Sequence, residues 1–226
     1  MTTIYPTQVT CSQCGTEHEF MEVGSTSVFG SPDLDLRPAP LARYNLGYDV
    51  QQCPNCGYCA ADISIPLESD VAQNLVLSDG YQSQLHHADF PELAKQFICL
   101  ALLAEAEGDL QATAWAYLRA AWACDDDGQE AQASHCRARA AEYFQQRHSA
   151  DAEDELDVDE KGSQEALLSD VLRRAGQFES AQAVCEQGLR VATSDVLQAV
   201  LRYEHSLISQ QDTGCYTIEN AMSTVA

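Results

Sequence analysis

Four cysteines in two pairs are the residues whose type and spacing could do chemistry in this chain. Cys11 and Cys14 form one C-x-x-C pair, Cys53 and Cys56 form the other, and a glycine follows each pair. This spacing is typical of metal-binding knuckles, and four thiolates are a complete tetrahedral ligand set for Zn²⁺. Glycine favours the knuckle turn because it adopts a positive φ at low cost. The sequence therefore predicts one metal site with these four cysteines as ligands.

The predicted role of this metal is structural, because a complete set of four thiolates leaves no open position for water or substrate. Cys59 lies three residues after Cys56 and could be a further ligand or a free thiol beside the site, and His18 is another candidate ligand. Two hypotheses compete with structural zinc. Iron would make the chain a rubredoxin-like electron carrier, and oxidation of Cys59 and its neighbours would make it a thiol-based redox switch that releases metal.

The remaining cysteines are scattered through apolar or helical segments, and we expect them to be small buried hydrophobic residues. They are Cys99, Cys124, Cys136, Cys185 and Cys215. A chain of this length with paired cysteine spacing is more typical of a metal protein in a reducing cytoplasm than of a secreted disulfide scaffold. We therefore expect a cytoplasmic protein with structural Zn²⁺ as its cofactor.

The composition excludes several functional classes. The chain has 226 residues, 45% of them hydrophobic, which is enough for a core in one or two domains. It has no apolar run long enough to span a membrane, and its first residues lack the pattern of a secretory signal. The net charge is −23, and the cysteine-rich first 62 residues contain two basic and seven acidic residues. Because phosphate contacts need Lys and Arg, nucleic-acid binding is not expected.

Residues 1–65 are predicted to form a small zinc-ribbon-like β domain. Short β-prone runs flank both knuckles, and they cover Ile4–Thr10, Glu17–Val23, Leu46–Gln52 and Tyr58–Ile65. A loop rich in Gly, Ser and Pro separates them, from Gly24 to Pro40. A metal that closes this loop would convert its binding energy into folding energy.

The rest of the chain is predicted to be helical, because apolar residues recur there at helical spacing. Residues 66–150 form helical hairpins, 151–162 an acidic linker, and 163–212 a second hairpin with a capping helix. In the linker, seven of the ten residues from 151 to 160 are acidic. The expected helices are Val71–Leu77, Pro91–Glu107, Leu110–Cys124, Gln129–Arg147, Ser163–Gly176, Phe178–Ala192 and Ser194–Gln210. The fold class is therefore α+β, a small β domain followed by an all-α antiparallel part.

Two of the predicted helix pairs turn at similar sites, Glu107-Gly108-Asp109-Leu110 and Ala175-Gly176-Gln177-Phe178. These turns resemble those of the tetratricopeptide repeat, and the two glycines lie two repeat periods apart. A plain antiparallel bundle is the alternative. A helical surface of either kind is predicted to bind a protein or peptide partner, and the oligomeric state stays open.

A further resemblance rests on motifs between residues 33 and 58. The order is Asp33-Leu-Asp-Leu-Arg37, Arg43-Tyr-Asn45, Tyr48-Asp-Val50 and Cys53-Pro-Asn-Cys56-Gly-Tyr58. With the earlier cysteine pair, it resembles the bacterial family of unknown function DUF2225, whose members often continue into a tetratricopeptide-like helical part. The resemblance implies a cytoplasmic bacterial metal-binding protein without an established activity. Cys59 and the acidic insert depart from the family pattern.

Asp33 and Asp35 invite interpretation as a catalytic pair of carboxylates. The favoured interpretation is that they brace the long loop through its backbone N–H groups. The sequence offers them no partner base, phosphate-binding loop or nucleophile. We therefore predict no catalytic residues and a non-enzymatic protein.

Overall fold

The computed structural model describes residues 1–150 and 161–224, and for residues 148–150 it describes the backbone alone. The acidic run 151–160 lies outside the described residues. The chain divides into two compact units, Met1–Phe29 with Pro40–Cys136 and Gly30–Ala39 with Arg137–Ala226. The predicted α+β class is confirmed, because a small cysteine-bearing β part precedes a mostly helical part. The four-part division drawn from the sequence stays a prediction.

The first cysteine pair forms the turn of an antiparallel hairpin. Strand β1 (Thr2–Thr10) pairs with β2 (Glu17–Thr26), so the predicted strands on either side of this knuckle are confirmed. The last ladder pair is Thr10 with Glu17. The Cys11 amide then donates to the Thr16 carbonyl, which extends the pairing into the knuckle itself.

The second cysteine pair forms the turn of a much shorter hairpin, β3 (Gln51–Gln52) and β4 (Cys59–Ala60). The longer strands predicted there are wrong. Residues Ala42–Tyr48 form a 3₁₀ helix instead, and Gly47 and Asn45 within it have low β propensity. After β4, the Asp62 carboxylate accepts hydrogen bonds from the amide and hydroxyl of Ser64, and this turn ends the strand.

Four helices complete most of the first unit: α1 (Asp70–Val76), α2 (Asp79–Leu85), α3 (Glu92–Glu107) and α4 (Leu110–Asp126). The sequence did not predict α2, because Asp79-Gly80 has the composition of a helix break. The Ser78 hydroxyl accepts the Tyr81 amide and caps this helix. The core of the unit includes Tyr81, Phe97, Leu103 and Leu118, each almost completely buried.

The turn between α3 and α4 confirms the predicted break at Gly108-Asp109. Gly108 has φ +81, the left-handed conformation that ends α3, and its amide donates to the Glu105 carbonyl. The Asp109 carboxylate accepts the Ala112 amide and begins α4. One dipeptide thus ends one helix and caps the next, so α3 and α4 form an antiparallel hairpin.

Helix α5 (Glu130–Ala150) begins in the first unit, and the second unit contains α6 (Ser163–Arg174), α7 (Phe178–Val191), α8 (Asp195–Ser209) and α9 (Ile218–Ser223). The three middle helices follow the predicted pattern. A Cβ on Gly188 of α7 would lie 2.8 Å from both Glu165 and Leu201, so this glycine allows α6 and α8 to approach. Helix α9 was not predicted.

The start of α9 has a reciprocal cap that explains it. The Thr217 hydroxyl accepts the Asn220 amide, while the Asn220 side chain accepts the Thr217 amide. Ser194, the predicted N-cap of α8, occupies that position, but its side chain makes no capping hydrogen bond.

Glu107, at the end of α3, gives a testable prediction about the first unit. Its carboxylate accepts hydrogen bonds from the Glu68 amide and from the amide and hydroxyl of Ser69, the N-cap residue of α1. These bonds, chiefly that from the Ser69 amide, lower the pKa of Glu107. Glu107→Gln should therefore lower the thermal midpoint at neutral pH. The difference in midpoint between the wild type and Glu107→Gln should begin to shrink below the unfolded-state glutamate pKa of about 4.3. It should vanish once the pH has fallen through the lowered pKa of Glu107.

Thermal unfolding followed by circular dichroism at several pH values measures this effect. Glu105→Gln is the matched control, because Glu105 is exposed on the same helix. Equal midpoints for the Glu107→Gln and Glu105→Gln proteins at neutral pH would contradict the assigned role of Glu107.

Candidate metal centre

The two knuckles bring the four predicted cysteines together. The Sγ atoms of the four residues all lie within 4.8 Å of one another; the residues are Cys11, Cys14, Cys53 and Cys56. Between knuckles, Cys11 Sγ lies 3.8 Å from Cys56 Sγ, and Cys14 Sγ lies 3.6 Å from Cys53 Sγ. Four sulfurs at the Zn–S distance of about 2.3 Å from a tetrahedral ion are about 3.8 Å apart. The separations fit a shared metal ion, and the donor set could hold one.

The backbone of the two knuckles follows one pattern. Gly15 donates its amide to the Cys11 carbonyl, and Gly57 donates to the Cys53 carbonyl, each at 2.8 Å. The two glycines have φ +71 and +81, so the positive φ predicted at each knuckle is confirmed. The knuckles are thus two copies of one turn, and each presents its pair of sulfurs to the other.

Only the second knuckle is packed tightly against a helix. A Cβ on Gly57 would lie 2.6 Å from Leu85 of α2, whereas nothing lies within 4 Å of the equivalent position on Gly15. The Tyr81 hydroxyl donates to the Gly57 carbonyl and accepts the Cys59 amide. Helix α2 therefore holds the second knuckle, and this contact could not be predicted because α2 itself was not predicted.

The four thiols have different electrostatic surroundings. Hydrogen bonds with Thr16 and then Asn55 lower the pKa of Cys14 to about 6, so this exposed thiol ionises readily. Burial raises the pKa of Cys11 and of Cys56. A bound cation would offset that burial cost, because thiolates are the form that coordinates metal. Thr16 and Asn55 are supporting residues that cysteine spacing did not indicate.

Cys59 and His18 lie close to this centre but outside the group of four. Cys59 is completely buried, and its Sγ donates to the Gly57 carbonyl at 3.4 Å. A hydrogen bond with Cys59, followed by burial, raises the pKa of Cys99 on α3. His18 Nε2 lies 3.6 Å from Cys53 Sγ and is not one of the mutually close ligand atoms. In this arrangement Cys59 packs against α3, and His18 flanks the cysteines.

A groove of about 560 Å³ lies beside the cysteine group in the first unit. Cys14 and Cys56 line it together with apolar side chains of α1 and α2, among them Leu77 and Leu85. Cys11 and Cys53 are buried, and Cys56 is half-buried. The group is therefore covered on one side and approachable from the groove on the other.

The structure places Asp33 and Asp35 in the second unit, whereas the four cysteines belong to the first unit. Both are buried. Asp35 Oδ1 accepts the Arg37 amide at 3.2 Å, and Asp35 Oδ2 accepts Arg174 Nη1 at 2.7 Å. The predicted bracing of the loop through its N–H groups is therefore present at Asp35.

The prediction of burial for the remaining cysteines holds for four of them: Cys99, Cys124, Cys136 and Cys185. It is wrong for Cys215, which is exposed and lies with its Sγ 3.3 Å from Asp33 Oδ2. Cys215 belongs to the segment between α8 and α9, where the chain runs along the surface of the second unit.

Fold and site together define a protein with a four-cysteine group on two β hairpins, followed in the chain by a longer helical part. The family model DUF2225, described as an uncharacterized protein conserved in bacteria, matches residues 4–201. The chain belongs to this family, and the resemblance seen in the motifs is confirmed. A search of curated proteins and a search of solved structures found no match. Among the described residues, none of the helices is long and apolar enough to cross a membrane.

The two knuckle glycines give a matched pair of substitutions. A non-glycine residue at positive φ costs about 1–2 kcal/mol, which applies to both Gly15→Ala and Gly57→Ala. Gly57→Ala should cost about 1–3 kcal/mol more, because its new methyl group would overpack against Leu85. Denaturant unfolding of the two variants and the wild type under identical conditions measures the difference. Equal losses in the two variants would contradict the tight contact between the second knuckle and α2.

Proposed function

We propose that the four-cysteine group holds one structural Zn²⁺ and that the chain is a non-enzymatic module for protein–protein interaction. The observation that carries the first half is the spacing of the sulfurs, 3.6 and 3.8 Å between knuckles. These distances match the edges of a tetrahedron of thiolates around zinc, about 3.8 Å. They are far longer than the S–S bond of about 2.05 Å in a disulfide.

A structural metal is favoured because the four cysteines complete the coordination shell. With no position left for water, such an ion neither activates a nucleophile nor polarises a substrate. Its contribution is to stability: it joins two hairpins, one of which, β3–β4, is too short to be stable alone because its strands have two residues each. Metal binding and folding of this part of the chain are therefore coupled.

A protein or peptide partner for the helical part is supported by exposed apolar side chains at α1. Val71 of α1 is 68% exposed, and Leu77, the residue that follows α1, is 74% exposed and borders the groove beside the cysteines. A large apolar side chain that is exposed at the edge of a groove is a candidate for contact with a partner. The net charge of −23 disfavours a nucleic-acid partner. The tetratricopeptide-like arrangement of the hairpins remains part of this proposal.

Elemental analysis of untagged protein from a bacterial host tests the metal. We expect about one zinc per chain. Cys11→Ser and Cys53→Ser should lose the zinc, and with it the β hairpin signals in an NMR spectrum. Cys59→Ser is the matched control, because Cys59 is buried beside the knuckle but outside the group of four. It should keep the zinc.

Other outcomes identify the competing functions. A reducible iron centre would favour an electron carrier. Zinc that is released by peroxide from the wild type but not from Cys59→Ser would favour a redox switch. Metal-free protein with an intact fold would contradict the structural role altogether.

Site-specific photo-crosslinking tests the partner. A photoreactive amino acid at Leu77 should give a covalent adduct with one partner protein in the native host, and so should one at Val71. The same amino acid at Ser83, which is exposed on α2, is the control. Adducts of equal yield at Ser83, or none at Leu77 and Val71, would contradict an interaction surface on α1.

A further inference from the structure

The second unit contains a buried pair of carboxyl groups that share one guanidinium. Arg173 on α6 donates from Nη2 to Asp170 Oδ1 at 2.5 Å and from Nε to Glu204 Oε2 of α8 at 2.9 Å. The side chains of all three residues are 0–1% exposed. Two carboxylates on a single guanidinium would place two like charges next to each other in the interior, which is costly.

The second oxygens of the two carboxyl groups show how this charge is avoided. Asp170 Oδ2 and Glu204 Oε1 are buried, and within the described residues neither receives a hydrogen bond from a donor. The two side chains nevertheless lie within hydrogen-bonding reach of each other. Two carboxylates repel, whereas a carboxylic acid donates a strong hydrogen bond to a carboxylate. One proton would therefore satisfy both orphan oxygens and remove the repulsion between the two carboxylates.

We propose that Asp170 and Glu204 bind one shared proton at neutral pH, and that this proton keeps the C-terminal segment 212–217 docked on the second unit. The link is Arg173. Its Nη1 donates to the Asp212 carbonyl at 2.6 Å and to the Gly214 carbonyl at 3.0 Å, and its guanidinium lies 5.7 Å from the centre of the Tyr216 ring. One side chain thus joins the carboxyl pair to the segment.

The same segment holds the loop that contains Asp33 and Asp35. The Leu34 amide donates to the Tyr216 carbonyl, the Ile218 amide donates to the Pro32 carbonyl, and Asp33 forms a bridge with Thr217. Release of the segment would therefore free the loop 30–39 from these hydrogen bonds, while Asp35 keeps its pair with Arg174. The proton site thus acts on the segment and, through it, on one attachment of the loop.

Other charged groups around the pair come from several elements. Burial is the largest cause of the raised pKa of Asp170; Arg173 lowers this pKa, Asp35 in the loop raises it, and Arg174 on α6 lowers it. Asp35 itself is paired with Arg174 and Arg137. The pKa of Glu204 is raised first by burial and then by Asp170.

Four further titratable groups on the surrounding elements have pKa values that are shifted away from neutral pH. On α7, burial raises the pKa of Cys185 to about 12. On α8, burial raises the pKa of Tyr203, and in the C-terminal segment a hydrogen bond to Asp212 raises the pKa of Tyr216. The same hydrogen bond lowers the pKa of Asp212, which stays ionised. The carboxyl pair is therefore the group to which a pH effect in this region is assigned.

The sign of the effect follows from proton linkage. The folded protein holds the proton, whereas an unfolded glutamate with a pKa of about 4.3 has released it at neutral pH. Unfolding therefore releases a proton, and the folding equilibrium constant falls about tenfold for each pH unit up to the raised folded-state pKa. The stabilisation is complete at low pH and is lost as the pH rises through that value.

Chemical unfolding at a series of pH values from about 6 to about 9 tests the proposal in the full chain. Glu204→Gln places an amide where the protonated carboxyl stands, so its N–H₂ can donate to Asp170 Oδ2 at every pH. In this variant the folding equilibrium constant should lack the fall of about tenfold per pH unit that the shared proton causes in the wild type. Glu179→Gln is the control, because Glu179 is exposed on α7 and should leave the slope unchanged. Identical slopes for the wild type and Glu204→Gln would overturn the proposal.

Two measurements separate proton binding from a merely structural role. The infrared spectrum of the wild type at neutral pH should show the C=O stretch of a buried protonated carboxyl, absent from Glu204→Gln and from Asp170→Asn. Chymotrypsin should cleave after Tyr216 faster as the pH rises in the wild type than in Glu204→Gln, with Glu179→Gln behaving as wild type. A missing carboxyl band, or equal pH dependence of cleavage in the wild type and Glu204→Gln, would overturn it even if one variant fails to fold.

Discussion

The clustering of four thiol groups is the constraint on which the first unit depends. The two cysteine pairs lie on hairpins far apart in the chain, and one hairpin has strands of only two residues. Two hairpins of this kind have little apolar surface to bury, so coordination of a shared metal ion by the four thiolates would be an effective source of stability. Helix α2 adds the second constraint by packing Leu85 and Tyr81 against the turn at Gly57.

The second unit is stabilised differently, by charges placed in its interior. Arg173 and Arg174 are buried on successive positions of α6, and each binds carboxyl groups from other segments. Burying charges is worthwhile only when all are matched, and breaking one pair leaves another unpaired. This requirement explains why Asp35, remote in sequence, is tied to α6. It also gives the D-x-D motif a structural role that the family resemblance left open.

The sequence predicted most elements because their signals are local. Paired cysteines with a following glycine identify a knuckle without any tertiary information, and Gly108-Asp109 ends one helix and caps the next. Failures occurred where two local signals competed. Asp79-Gly80 is typical of a break, yet the cap supplied by Ser78 gave a helix there. The strand predicted over Leu46–Gln52 begins only at Gln51, because residues Ala42–Tyr48 form a 3₁₀ helix.

By itself, the sequence determined the four candidate ligands, the α+β class and the family, because each follows from residue type and short-range spacing. Only the tertiary structure decided that Cys59 lies outside the group of four sulfurs and contacts Cys99 on α3. It also decided that Asp170 and Glu204 meet on one guanidinium. The physical reason is that contacts between distant segments depend on how helices pack, which spacing along the chain does not encode.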